Sequence, residues 1–264
     1  MKPTLLTRFL AALAACTLSA QAWAGACTAQ SPRQTAALVE LYTSEGCSSC
    51  PPADKWLSML GKRAVSPGGL LVPLALHVDY WDYIGWKDPY AKREFSTRQR
   101  KLAALGRASF VYTPQVLLQG RDFRGWGSGA FGDAVASINA RKAKAAISLA
   151  IDPQTTGALP VETRAELLDP AEHGDAALYL AAYANKLVSN VRAGENEGRT
   201  LAHDFVVLEW TGPIAFGRDG RVHDKRTLTV PPKAAAANSG VAAFVQNRRT
   251  GEVLQALMLP SCPG

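Results

Sequence analysis

Cysteine and histidine are scarce, five and four among 264 residues, and outside one Cys-x-x-Cys they show no ligand spacing. The absence of a second CxxC and of any HxxxH argues against a metal cluster. No GxSxG elbow occurs, so Ser-His-Asp hydrolysis is not supported. Long hydrophobic runs are also missing: Phe9 to Leu18 covers roughly ten residues, half of the ~20 that span a bilayer. Charge forms no blocks. Lys and Arg number 29 against 22 Asp and Glu, a net +7 dispersed into pairs such as Arg141-Lys142 and Arg248-Arg249. That pattern favours solubility and weak attraction to anionic surfaces, and it carries no nucleic-acid motif. No repeat of solenoid or propeller period appears, and only Ala234 to Ala237 is low in complexity.

The N-terminus decides how the cysteines are read. Lys2 and Arg8 precede the apolar run, and Ala22-Trp23-Ala24 offers a small-x-small cleavage site. Residues 1–24 are therefore expected to be a secretory signal peptide, cleaved near Ala24, with the mature protein periplasmic or secreted. A second reading takes Leu13-Ala14-Ala15-Cys16 as a lipobox, with a lipid anchor at Cys16. Removing Lys2 and Arg8 lowers the net charge from +7 to +5 and leaves 240 residues (264 − 24), enough for one large domain or two ordinary ones.

Four cysteines then remain in an oxidising compartment, an even number that favours disulfides. Cys47 and Cys50 are the local pair, which leaves Cys27 and Cys262 either to join the two ends or to stay free. Closing the 234 residues between them (262 − 27 − 1) would contribute on the order of 4 to 5 kcal/mol in the chain-entropy model.

Between residues 25 and 144 strand-like and helix-like segments alternate, an α/β pattern. Strands are expected over residues 36–43, 70–80, 115–119 and 123–126, and helices over 51–63, 89–105 and 128–142. Gly120-Arg121-Asp122 reads as a tight turn, and Pro73 as a strand start or an edge position. The resulting order, β-α-β-α-β-β-α, is that of the thioredoxin fold. From 145 to 264 the texture is different: seven candidate strands, at 145–151, 161–167, 177–183, 205–210, 226–230, 240–246 and 253–259, suggest a β-sandwich-like second domain.

The chemistry concentrates in ELYTSEGCSSCPPADKWL, Glu40 to Leu57, where a strand ends, a CxxC turn follows and a helix begins. A helix N-terminus lowers a thiol pKa. Cys47 is the expected accessible nucleophile and Cys50 the resolving thiol. Pro114, in the Tyr112-Thr113-Pro114-Gln115 stretch, is the matching position for a cis-proline facing the dithiol. Thr113, Asp79 and Trp81 are groove candidates. An alternative makes Cys47 and Cys50 metal ligands with His77, although His77 sits in an apolar strand and reads better as a core residue. Arg98, Gln99 and Arg100 are expected on a solvated helix face. Glu195, Asn196, Arg199 and His203 form a polar cluster that either pins a loop or binds a ligand.

Glu40 to Asp54, YTPQ and GENEGRTLAHDFVV together resemble an uncharacterised family of secreted proteins. The resemblance implies export and a thioredoxin-like fold over essentially the whole mature chain, and no established substrate. Relative to thioredoxins, Gly46 replaces the tryptophan before the first cysteine and Ser48-Ser49 replaces Gly-Pro. Pro51 and Pro52 remove two donors near the helix start, and Glu45 adds negative charge. Each change weakens thiolate stabilisation. Two functions are thus in view: an envelope thiol-disulfide oxidoreductase acting on protein thiols or a redox partner, with no cofactor, or a non-catalytic binding protein with structural disulfides.

Overall fold

The computed structural model describes residues 27–64, 69–152, 157–230 and 238–261. The expected leader with Cys16, the Ala234 to Ala237 run and Cys262 lie outside the described residues. Among those described, no helix is long and apolar enough to cross a membrane.

Strand β1 (Cys27–Gln30) is followed by β2 (Ala37–Thr43), helix α1 (Pro51–Ala64), β3 (Leu71–His77), a 3-10 turn (Asp79–Ile84), α2 (Arg93–Leu105), β4 (Gln115–Leu118), β5 (Arg121–Asp122) and α3 (Gly129–Asn139). The remaining elements are all extended except a short 3-10 turn. They are β6 (Ala145–Ile151), β7 (Ala158–Leu167), β8 (Ala176–Ala184), β9 (Leu187–Asn190), β10 (Thr200–His203), β11 (Val206–Ala215), β12 (Arg221–Thr229), β13 (Ser239–Asn247) and β14 (Val253–Pro260).

The principal sheet has eight strands in the order β14-β13-β8-β11-β3-β2-β4-β5. The boundary expected near residue 144 therefore divides the chain but not the sheet. Val206 of β11 lies beside Ala75 of β3 in parallel register, and the Ala75 amide donates to the Phe205 carbonyl at 2.8 Å. The first segment also reaches the other way, because β1 pairs with β6 in a four-stranded sheet, β1-β6-β7-β12. Buried glutamines join the segments: Gln255 accepts from the Ala36 amide at 2.8 Å and donates to the Pro32 carbonyl at 2.8 Å, while Gln119 accepts from the Leu38 amide and donates to the Val253 carbonyl. One continuous core results.

Local chemistry explains the elements. Every residue of β2 and β3 is buried, as the unbroken apolar runs require of strands covered on both faces. Pro73 stands within β3, opposite Val39 of β2. Its nitrogen shares the side of Ala75, where β11 begins only at Val206, so no ladder bond is lost. The tight turn falls one residue earlier than expected. Gln119 and Gly120 both have positive φ, Leu118 pairs with Arg121, and the short β5 occupies 121–122 rather than 123–126. Helices α1 and α3 share a face, where Trp56 meets Trp126 at 5.1 Å and Phe131 at 5.0 Å.

Candidate functional site at the Cys47-Cys50 turn

Strand β2 ends at Thr43, the turn runs through Ser44 to Cys50, and α1 begins at Pro51. Cys50 is the last residue before α1, and its carbonyl accepts from the Ala53 and Asp54 amides. Pro51 and Pro52 fill the first helical positions, where an N–H has no partner inside the helix. Cys47 and Cys50 are joined in a disulfide, with their Cα atoms 5.4 Å apart. Their sulfurs being bonded to each other, they do not form a ligand set with His77, which is tied to Asp88 instead.

The expected accessible nucleophile is not exposed. Cys47 has 1% and Cys50 0% of its surface accessible, whereas Ser48 and Ser49 between them face solvent. The hairpin of β9 and β10, absent from the expected strands, is tied to the backbone of this turn. Asn196, fully buried in the connecting segment, donates from Nδ2 to the carbonyls of Glu45 (2.8 Å) and Cys47 (3.0 Å), and its Oδ1 accepts from Arg199 (2.8 Å). Glu195 accepts from the Ser48 amide at 2.9 Å, and that bond holds its carboxyl below the usual range. The polar cluster recognised in the sequence thus pins a loop to the cysteine turn. Ser49 Oγ, 3.4 Å from Cys47 Sγ, is the nearby hydroxyl able to donate to a thiolate there.

Beneath the turn lies a buried set of titratable groups that sequence reasoning did not bring together. The Glu45 carboxylate accepts from the Trp86 indole (2.8 Å) and sits 3.2 Å from His203 Nε2. Asp88 accepts from the Glu45 and Tyr90 amides and lies 2.7 Å from His77 Nδ1. The rings of His77 and His203 stand edge to face at 5.0 Å, and His203 Nδ1 is 3.9 Å from Asp54. Burial raises the Asp54 carboxyl against the pull of both histidines. For His77, burial works downward, but the Asp88 charge and hydrogen bond outweigh it and its pKa is raised. Asp88 has the opposite balance: burial works upward, and the His77 charge with the hydrogen bonds of the pair and of the amides holds it low. Asp54 Oδ1, His77 Nε2 and His203 Nδ1 have no hydrogen-bond partner among the described residues. The signal for these residues was a charge within or beside an apolar segment, which demands a partner.

Of the groove candidates, Trp81 joins the cysteine turn to the Thr113-Pro114 turn: its Cβ lies where a Cβ on Gly46 would approach to 3.2 Å, and its indole donates to Thr113 Oγ1 at 2.7 Å. Gly46 thus leaves room for a tryptophan brought from a distant segment. The Thr113-Pro114 bond is cis, and both residues are half-buried. Asp79 does not join them, because its carboxylate accepts from Ser96 on α2. Cys27, which opens β1, is disulfide-bonded; its expected partner Cys262 is outside the described residues.

Arg98 and Gln99 also depart from expectation. Arg98 grips the fully buried Glu40 through two nitrogens, at 2.6 and 3.1 Å, and Gln99 is buried between the Tyr112 carbonyl and Gln115. A carboxylate in the middle of a buried strand requires a cation, which the sequence supplies 58 residues later.

Residues 38–246 match a protein family of unknown function, DUF1223. The chain belongs to the DUF1223 family. The matched span of this DUF1223 protein includes the cysteine turn, Pro114 and the β9-β10 hairpin. No curated protein matches the chain significantly. Among solved structures, the X-ray structure of protein AGR_C_4864 from Agrobacterium tumefaciens is similar at 24% identity with a TM-score of 0.62, covering 89% of this chain and 98% of that one. HBP35 of Porphyromonas gingivalis is similar at 13% identity with a TM-score of 0.63, covering 88% and 76%. At these identities the likeness is one of fold.

Proposed function

We propose that this DUF1223 protein is an exported thiol-disulfide exchange protein on a thioredoxin-like scaffold. Cys47 and Cys50 are its reacting pair, Pro114 its peptide platform, and residues 191–199 the gate above them. The observation that carries this reading is a disulfide closed between residues three apart where a strand hands over to a helix. So small a ring adds little chain-entropy stabilisation, so stability alone gives poor reason for it. Trp81, in contact with the cysteine turn and hydrogen-bonded beside Pro114, supports the assignment of the groove.

In the oxidising direction, with the gate open, a thiolate of an envelope protein attacks Cys47 Sγ. The Cys47-Cys50 bond breaks, and its electron pair leaves on Cys50, which takes up a proton. A second thiolate of the partner then attacks the partner's own sulfur in the mixed disulfide and releases Cys47. Two electrons pass from partner to protein, and the partner gains a disulfide. Reduction of a partner is the same sequence reversed.

The burial of both sulfurs favours a second reading, in which the disulfide is a structural clasp in a non-catalytic binding protein. Loosening the gate separates the two. Glu195→Ala with Asn196→Ala removes hydrogen bonds worth about 1 kcal/mol each, so reduction by dithiothreitol is expected to accelerate roughly tenfold or more. A Cys50→Ser variant is expected to accumulate mixed disulfides through Cys47 in envelope extract. Unchanged reduction rates together with no trapped partner decide for the clasp.

A further inference from the structure

A cavity that shares no residue with the disulfide site opens between α2 and the principal sheet. Its volume is about 440 Å³, within the range of small-molecule pockets. Its walls are flat or apolar: the rings of Tyr179 and Trp210, with Leu102 and Leu105 beside them. The guanidinium of Arg98 lines it as well, stacked 4.7 Å from the Trp210 ring and 5.4 Å from that of Tyr179. Arg98 is nine-tenths buried. Three of its five N–H groups are taken, by Glu40 and Gln246, and Tyr42 is a further hydrogen-bond partner.

The charge around this cavity is one-sided. Arg93, Lys101 and Arg248 line it and make no ion pair among the described residues, while its single acid, Glu94, stands 3.8 Å from Lys92. Glu40 already neutralises Arg98, so the three outer cations remain uncompensated. Flat surfaces favour an aromatic body, and unpaired cations beside a low-dielectric wall favour an anion.

We propose that this cavity binds a small aromatic carboxylate, its ring against the wall of Trp210, Leu102 and Leu105 and its carboxylate among Arg93, Lys101 and Arg248. The inference is independent of the redox reading. The test is calorimetric titration of the full chain with 2-naphthoate and with 2-naphthamide, its neutral isostere, at low and high salt. The expected result is one saturable naphthoate site with a Kd below ~1 mM, the range open to a ligand of this size. Naphthamide should bind at least tenfold more weakly. The exposed pair Lys101→Glu and Arg248→Glu should weaken naphthoate at least tenfold while leaving the melting temperature unchanged. If that variant misfolds, the salt dependence of the wild type decides, since affinity must fall as salt rises. No saturable binding, equal binding of the two probes, or affinity indifferent to salt and to charge reversal would each overturn the proposal.

Discussion

At the scale of single residues, the molecule is governed by charges placed where water is absent. Glu40 and Arg98 show the cost of separating such a pair: Arg98→Met strands a buried carboxylate and is expected to lose about 3 to 5 kcal/mol. The Glu40→Gln, Arg98→Met double variant should recover most of it, as read from urea midpoints. His77 and Asp88 give a pH dependence whose sign follows from their shifts. Asp88 is held low, so its contribution is present above the ordinary carboxylate value and lost as pH falls through the depressed one. His77 is raised, so its contribution is complete below about 6.5 and lost as pH rises through the elevated value. Asp54, raised by burial, also lowers stability as pH climbs. Stability should therefore decline on the alkaline side, and His77→Gln should flatten that limb in urea titrations across pH 5 to 9. None of these pairings was legible in the sequence. Each unites residues from separate elements, and a lone Arg98 on a polar helix looks like any solvated side chain.

At the scale of elements, long apolar segments announced themselves and short polar ones did not. Strand β6 was read to the residue, and β8, β13 and β14 to within one residue at either end, because their burial depends on composition. The β9-β10 hairpin escaped: each strand has four residues, half of them exposed. A segment so weakly patterned takes its shape from what it lands on. Gly61 marks another such landing. A Cβ there would lie 2.0 Å from Phe205 Cζ, so α1 approaches the start of β11 only because the side chain is missing. Gly61→Ala gains about 1 kcal/mol of helix propensity, yet overpacking costs roughly 1 to 3. A net destabilisation in thermal melts is expected, relieved by Phe205→Leu.

At the scale of the whole molecule, the two halves of the chain were visible as a change of texture, but their union was not. Strand pairing across 130 residues, Val206 on Ala75 (206 − 75 = 131), leaves no local signature, and neither does a glutamine such as Gln255 that bonds the main chain of residues 32–36. The full chain is accordingly expected to unfold in one cooperative transition. A fragment ending at residue 144 exposes the β3 edge, leaves β1 unpaired and lacks Gln255, so it should show no cooperative melt by circular dichroism.

The order in which the chain is made gives the hairpin tied to the cysteine turn a temporal meaning. Cys50 leaves the ribosome 137 residues before Leu187 opens the hairpin (187 − 50). The two sulfurs thus live first in an open, half-built chain that any oxidant or reductant reaches, and only later in a turn tied down by Asn196. Oxidation of the pair before the hairpin docks needs no gate, whereas exchange in the finished protein does.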